Sequence, residues 1–181
     1  MTDGSFHQID SEETIARLVH QEWVVNGVLQ QTAFILRNGE AYLSVNRPAV
    51  DTYEADVEAF VSQHPKYRTA PLNDTYRRAI LNVGDVRAID ISVKGEKLDV
   101  SVEVEPRAFH TKSHAGIFTR IEGKNVKGED DISTIEEGKK IVSTSMILQK
   151  LRWNLLQLAT LETCMLMQSH GSTDQKQSAH H

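Results

Sequence analysis

The stretch IDISVKGEKLDVSVEVEP, residues 89–106, sets the class of the fold. Leu98, Val100, Val102 and Val104 alternate without a break with Asp99, Ser101, Glu103 and Glu105. A period of two puts one set on each face of an extended strand, so the segment reads as a strand with one apolar and one wet face. Ile89, Ile91 and Val93 alternate in the same way with Asp90, Ser92 and Lys94, and Lys94-Gly95-Glu96-Lys97 joins the two runs. The pair is expected to form a β-hairpin. Pro106 closes it, because proline lacks the N–H that a ladder needs.

Upstream, Thr14 to Val45 is rich in β-branched and aromatic residues, among them Ile15, Val19, Trp23, Val24, Val28, Phe34, Tyr42 and Val45. Asn26-Gly27 and Asn38-Gly39 interrupt these runs, and Asx-Gly supplies the positive φ angles of tight hairpin turns. Two turns and about three strands are expected here. A helix from Ile15 is the rival, since Ile15, Leu18, Val19 and Glu22 also fit a helical stripe. After Arg47-Pro48, Asp51 and Glu54 form a variant capping box. Tyr53, Val57, Phe60 and Val61 then lie on one face of a short helix that His64-Pro65 stops. Asp74 is placed to cap a second short helix through Leu81, with Ala79 and Ile80 inward and Arg77 and Arg78 outward.

Downstream, Ala115 to Ile121 adds a strand, and the polar Gly123–Asp131 reads as a surface loop. Ser133 and Glu136 make a capping box for a long helix, about 134–167, with Gly138 as its one breaker. The expected fold is α+β: a single antiparallel sheet of about five to six strands, two short helices and the long C-terminal helix laid across the apolar face. Residues 14–167 form this domain, between a flexible arm (1–13) and a disordered polar tail (168–181).

With 181 residues the chain has room for one domain, and its 39% hydrophobic content is that of an ordinary globular protein. A net charge of −5 lacks the broad basic footprint of non-specific nucleic-acid binding. Cys164 is the single cysteine, which excludes an internal disulfide and a Cys-based zinc site. The polar Met1–Asp10 has no apolar core for secretion, so a cytoplasmic protein with no membrane association is expected. The phosphate-loop, dinucleotide, HExxH, GxSxG and CxxC signatures are missing.

The polar residues with chemical potential are scattered. Arg17 and His20 lie three apart, Ser44 and Arg47 likewise, and His110 and His114 bracket Thr111-Lys112-Ser113. Brought together, Arg17 and Arg47 would hold an anion bidentately, His20 or His114 would move a proton, and Ser44 would orient the ligand. The alternative is that the arginines are surface ion-pair partners and His20 a half-buried strand residue. His110-x-x-x-His114 has zinc spacing only on a helix, which Pro106 and Gly116 oppose, and no third ligand is near. No metal and no cofactor are expected. Glu103 and Glu105, two apart, share the wet strand face, where a solvated face and an acid–base pair look the same.

Arg17-x-x-His20, Ala33-Phe34, Leu43-Ser44-Val45-x-Arg47, Gly84-Asp85-Val86-Arg87 and His114-Ala115-x-Ile117 resemble a pattern in small uncharacterised bacterial proteins, over roughly residues 14–120. No known activity attaches to that group. The resemblance implies that these segments belong together, and it does not extend to the long C-terminal helix.

That helix carries its own signal. Leu148, Leu151, Leu155 and Leu158 form a seam, while Met146, Trp153 and Leu156 lie off it. A helix apolar around so much of its circumference needs cover on more than one side, from the short helices or from a partner, which makes a homo-oligomer or a protein complex an expectation. The leading functional reading is a binding or assembly protein acting through this helix, with a pocket for a small anionic ligand. The alternatives are an enzyme acting on a nucleotide-like anionic substrate, in one form by analogy with ADP-ribosyltransferases, and a structural subunit of a larger complex.

Overall fold

The central strands of the sheet pair across long stretches of sequence, Ala16 with Asn46, Arg17 with Ala79 and Leu43 with Ile117. The computed structural model describes residues 8–36, 40–63, 76–93, 96, 97, 99–107, 111–127, 134–137 and 140–163. The chain begins with β1 (Thr14–His20), a 3-10 turn at Gln21–Trp23, β2 (Val24–Val25), β3 (Val28–Leu29), a second 3-10 turn at Gln31–Phe34, and β4 (Leu43–Asn46). Then come α1 (Tyr53–Gln63), β5 (Tyr76–Asn82), α2 (Val83–Arg87), β6 (Ser92–Val93), β7 (Glu96–Lys97), β8 (Val100–Pro106) and β9 (His114–Ile121). The chain continues with β10 (Lys124–Asn125), β11 (Thr134–Glu137), β12 (Lys140–Ser143), α3 (Thr144–Leu158) and β13 (Thr160–Thr163).

A seven-stranded sheet runs β9–β4–β1–β5–β13, with β8 and β10 also paired to β9. Every pairing among the described residues is antiparallel. Being central, β1 is buried on both faces. Ile15 and Val19 enter the main core from one side, and Ala16 enters a smaller cluster from the other. The main core lies on the inner face, where Leu43, Val45, Leu81, Ala115 and Ile117 meet Phe34, Val83, Val86 and the α3 residues Ile147, Leu151 and Leu155. On the outer face, Tyr53, Val57 and Val61 of α1 pack on Ala16, Leu18, Ile80 and Tyr76. The fold is thus α+β, with helices on both sides of a mostly antiparallel sheet.

Local chemistry settles several elements as expected. Asn26 and Gly27 have φ of 51° and 77°, and the turn joins the pair Val25↔Val28. The α1 helix follows its stripe, except that Phe60 is 57% exposed. In β8, Val102 and Val104 are buried as their alternation demands. The partner of β8 differs from the expected one, however. It pairs with β9 from Val100↔Ile121 to Pro106↔Ala115, and among the described residues the expected hairpin is represented by Ser92↔Lys97 and Val93↔Glu96. A long ladder onto an equally apolar strand satisfies more backbone groups than the local return does. The Asn38-Gly39 turn lies outside the described residues.

Three larger corrections have the same origin. The expected helix through Leu81 is strand β5 from Tyr76 onward, because β1 and β13 offer its backbone a ladder on both sides. The expected long helix, about 134–167, divides into the β11–β12 hairpin, the 15-residue α3 and strand β13. Gly138 lies between two β-branched runs whose register puts Glu137 opposite Lys140, and Thr160–Thr163 pairs with the edge of β5. Residues 164–181 lie outside the described residues. At the other end, residues 8–13 of the expected flexible arm are anchored through Ile9, Ser11 and Glu13. Ile9 is in the core, its carbonyl accepts from Arg87 Nη1 at 2.8 Å, and the Ser11 and Glu13 carbonyls accept from Gly84 and Val83 N–H.

The inward position of Leu155 and the 37% exposure of Leu158 give α3 a sharp energetic asymmetry. Leu155→Ala is expected to cost about 2–5 kcal/mol by leaving a core cavity. Leu158→Ala should stay within about 0.5–1 kcal/mol, as partly exposed substitutions do. Urea unfolding of the two variants checks this, and equal losses would contradict the packing.

Candidate functional site

Alternation along the strands decides which face each candidate occupies. Arg17 stands between Ala16 and Leu18, so it shares the inner face with Ile15 and Val19 and is 8% exposed. Its Nε donates to the Ala33 carbonyl, and its Nη1 donates to the Ser44 carbonyl at 2.8 Å. Arg47 grips Glu13 with two parallel bonds, Nε to Oε1 at 2.6 Å and Nη2 to Oε2 at 2.9 Å. The Glu13 hydrogen bond and charge raise the Arg47 pKa above its ordinary value, although burial works the other way. Both guanidiniums are therefore engaged inside the protein, and the expected convergence of Arg17, His20, Ser44 and Arg47 on one anion does not form.

His20, Ser44 and His114 belong to the outer face. The His20 Nδ1 accepts from the Glu22 N–H at 3.2 Å, capping the turn at Gln21–Trp23, and its ring lies edge-on to Tyr76 at 5.7 Å. Ser44 is exposed and sits opposite Gly116. A Cβ at position 116 would stand 2.4 Å from Cδ2 of Tyr42, so only glycine lets that ring lie across the strand. The Tyr42 hydroxyl thereby reaches His114 Nε2 at 3.4 Å. Arg107 stacks over the rings of Tyr42 and Phe118, at 5.0 and 4.5 Å from their centroids. Glu105 pairs with Arg120 and Glu103 with Arg87, so each of these wet-face carboxylates has a cation beside it. His110 lies outside the described residues.

Asp56 of α1 ties this face together. Its carboxylate accepts from the Thr52 hydroxyl at 2.9 Å and the Ser113 N–H at 3.0 Å, and the Ser113 carbonyl accepts from the Arg47 N–H at 2.8 Å. Desolvation works to raise the Asp56 pKa, but Ser113 and the hydroxyls of Thr52 and Thr111 outweigh it and hold the carboxyl below its ordinary range.

The inner face holds a different kind of feature. Between α3, the end of the second 3-10 turn and the β4–β9 pair lies a cavity of ≈ 260 Å³. Its floor is buried and mostly apolar: Phe34, Leu43, Ile117, Thr119 and Leu151. Ile35, Leu36, Ala41, Tyr42, Ser145, Leu148 and Arg152 form the more exposed rim. Ser145, Leu148 and Arg152 recur at i, i+3 and i+7, one stripe of α3 beside the stripe that enters the core. Of the expected interface leucines, Leu151 and Leu155 are buried in the protein's own core and Leu148 packs partly against it. Leu158 and Trp153, the latter 51% exposed, remain at the surface of α3.

Among known proteins, no family model matches the chain, and no curated protein or solved structure matches it either.

Sequence reading missed Phe34, Thr119, Ser145 and Arg152 as partners in one site. Their sole sequence signal was the Ser145/Leu148/Arg152 stripe, which looks like any helix surface. For Arg17 the alternation Ile15-x-Arg17-x-Val19 already pointed inward.

Two expectations follow from these networks. Arg17→Met should leave the Ala33 and Ser44 carbonyls without their donors and cost about 1–3 kcal/mol in urea unfolding. Arg17→Lys should not restore the loss, because one ammonium cannot reproduce the fork. The lowered Asp56 pKa means that its contribution to stability is present above the unfolded carboxylate value, about 3.9, and is lost as pH falls through the folded value. The melting-temperature gap between wild type and Asp56→Asn should accordingly be widest near neutrality and close below about pH 4. A gap independent of pH would exclude this role for Asp56.

Proposed function

We propose that the protein is a small-molecule binding module whose site is the cavity beneath α3. The observation that carries this reading is the composition of the cavity wall: a buried, mostly apolar floor that includes Thr119, with the polar groups of Ser145 and Arg152 at the rim. Small-ligand sites are built in this way, with apolar surface for affinity and sparse polar groups for orientation. At ≈ 260 Å³ the space falls just under the roughly 300–1,000 Å³ of drug-sized pockets, which favours a small molecule or the leading end of a longer one. The C-terminal helix keeps a binding role in this reading as one wall of the site.

A nucleotide suits this cavity poorly. Its sugar and phosphates would lose their hydration against Phe34, Leu43 and Ile117 without compensating hydrogen bonds. Arg17 and Arg47, expected to grip the phosphate, are occupied by Ala33, Ser44 and Glu13.

The test uses 1-octanol, a neutral probe with an apolar chain. Calorimetric titration should show saturable 1:1 binding with a negative heat-capacity change, the mark of apolar burial. Leu148→Trp, which places an indole at the rim of the cavity, should abolish that binding while the melting temperature holds. Absence of binding to wild type, or equal binding by Leu148→Trp, would remove the cavity as the site.

A further inference from the structure

The geometry points to an anionic head group on the ligand of this cavity: we infer a short-chain carboxylate whose charge is held by Arg152. The inference rests on the cavity being the ligand site, and it adds the chemistry of the ligand's polar end. Among the described residues that line the cavity, none is acidic and Arg152 carries the one formal charge. Four other guanidiniums have carboxylates beside them. Arg47 faces Glu13, Arg78 faces Glu54 and Glu162, Arg87 faces Glu103, and Arg120 faces Glu105. Among the described residues no carboxylate lies within ion-pair distance of Arg152.

Its one hydrogen bond runs along its own helix, from Nε to the Leu148 carbonyl at 3.2 Å. That bond steadies the base of the guanidinium on α3 and leaves Nη1 and Nη2 as donors. Two such donors in one plane match the two oxygens of a carboxylate. Ser145 stands on the same stripe, two turns toward the start of the helix, and brings a hydroxyl to the same rim. The buried floor lowers the local dielectric, which strengthens attraction for an anion and makes a cationic head group costly to bring in. An aliphatic chain would lie against Phe34, Leu43, Ile117 and Leu151, with its carboxylate at the partly exposed rim.

Three probes with the same eight-carbon chain separate the head groups: octanoate, 1-octanol and octylamine, titrated at pH 7 and low salt. Octanoate is expected to bind wild type about tenfold to a hundredfold more tightly than octanol, the range of a charge-assisted hydrogen bond, with octylammonium weakest. Arg152→Met should abolish the preference for octanoate over octanol. Arg152→Glu should reverse the order and favour octylammonium, with melting curves confirming that both variants fold. Should Arg152→Glu fail to fold, Arg152→Met decides the matter alone. Equal binding of octanoate and octanol by wild type, or a preference that survives in Arg152→Met, overturns the carboxylate inference and leaves the cavity reading standing. Failure of all three probes to bind overturns the cavity reading, and the inference falls with it.

Discussion

A guanidinium on the apolar side of a sheet must meet acceptors, because an unanswered buried charge costs more than a small domain can spare. Arg17 meets the carbonyls of Ala33, in the second 3-10 turn, and of Ser44, in the neighbouring strand. These bonds fasten a turn with no ladder of its own to the centre of the sheet. Phe34 is thereby held in the core, where it becomes both a support for α3 and part of the cavity floor. A residue whose chemistry suits anion recognition is thus a structural clamp. The site it helps to build carries a different arginine.

The two faces of the sheet are held by different physics. The inner face is held by area, through Ile147, Leu151 and Leu155 of α3 against the strands. The outer face combines the α1 contact with directional bonds: Asp56 to the loop before β9, Arg47 to Glu13, and Tyr42 across Gly116 to His114. Directional networks position groups accurately, since each bond fixes both a distance and a direction. The cavity falls on the inner face, where the second 3-10 turn, α3 and the strand pair meet without fully interdigitating.

Legibility of the sequence varied with the range of the interaction. The faces of β8 were read from alternation, and the Asn26-Gly27 turn from its backbone requirement, because each depends on residues only a few positions apart. The Arg17 reading failed at the step from residue type to role. Its type suits an anion, but its place between Ile15 and Val19 on the inner face hands it to the backbone. Arg152 failed in the opposite sense. On a helix surface it reads as a solvated charge, and nothing local shows that Phe34, Leu43 and Ile117 will arrive in front of it.

What the sequence by itself determined is therefore local: which residues face inward, where tight turns form, where α1 starts, and the α+β class. Tertiary structure decided which strands pair and which helix-like segments become strands. β5 and β13 are extended because each gains a ladder from the sheet, a benefit that intrinsic propensity cannot contain. It also decided the candidate site, whose walls come from residues 34–36, 41–43, 117, 119, 145, 148, 151 and 152. The physical reason is the same in each case. Side-chain periodicity specifies a face, whereas partners are chosen by the joint requirement that every buried backbone group be bonded and every apolar face covered.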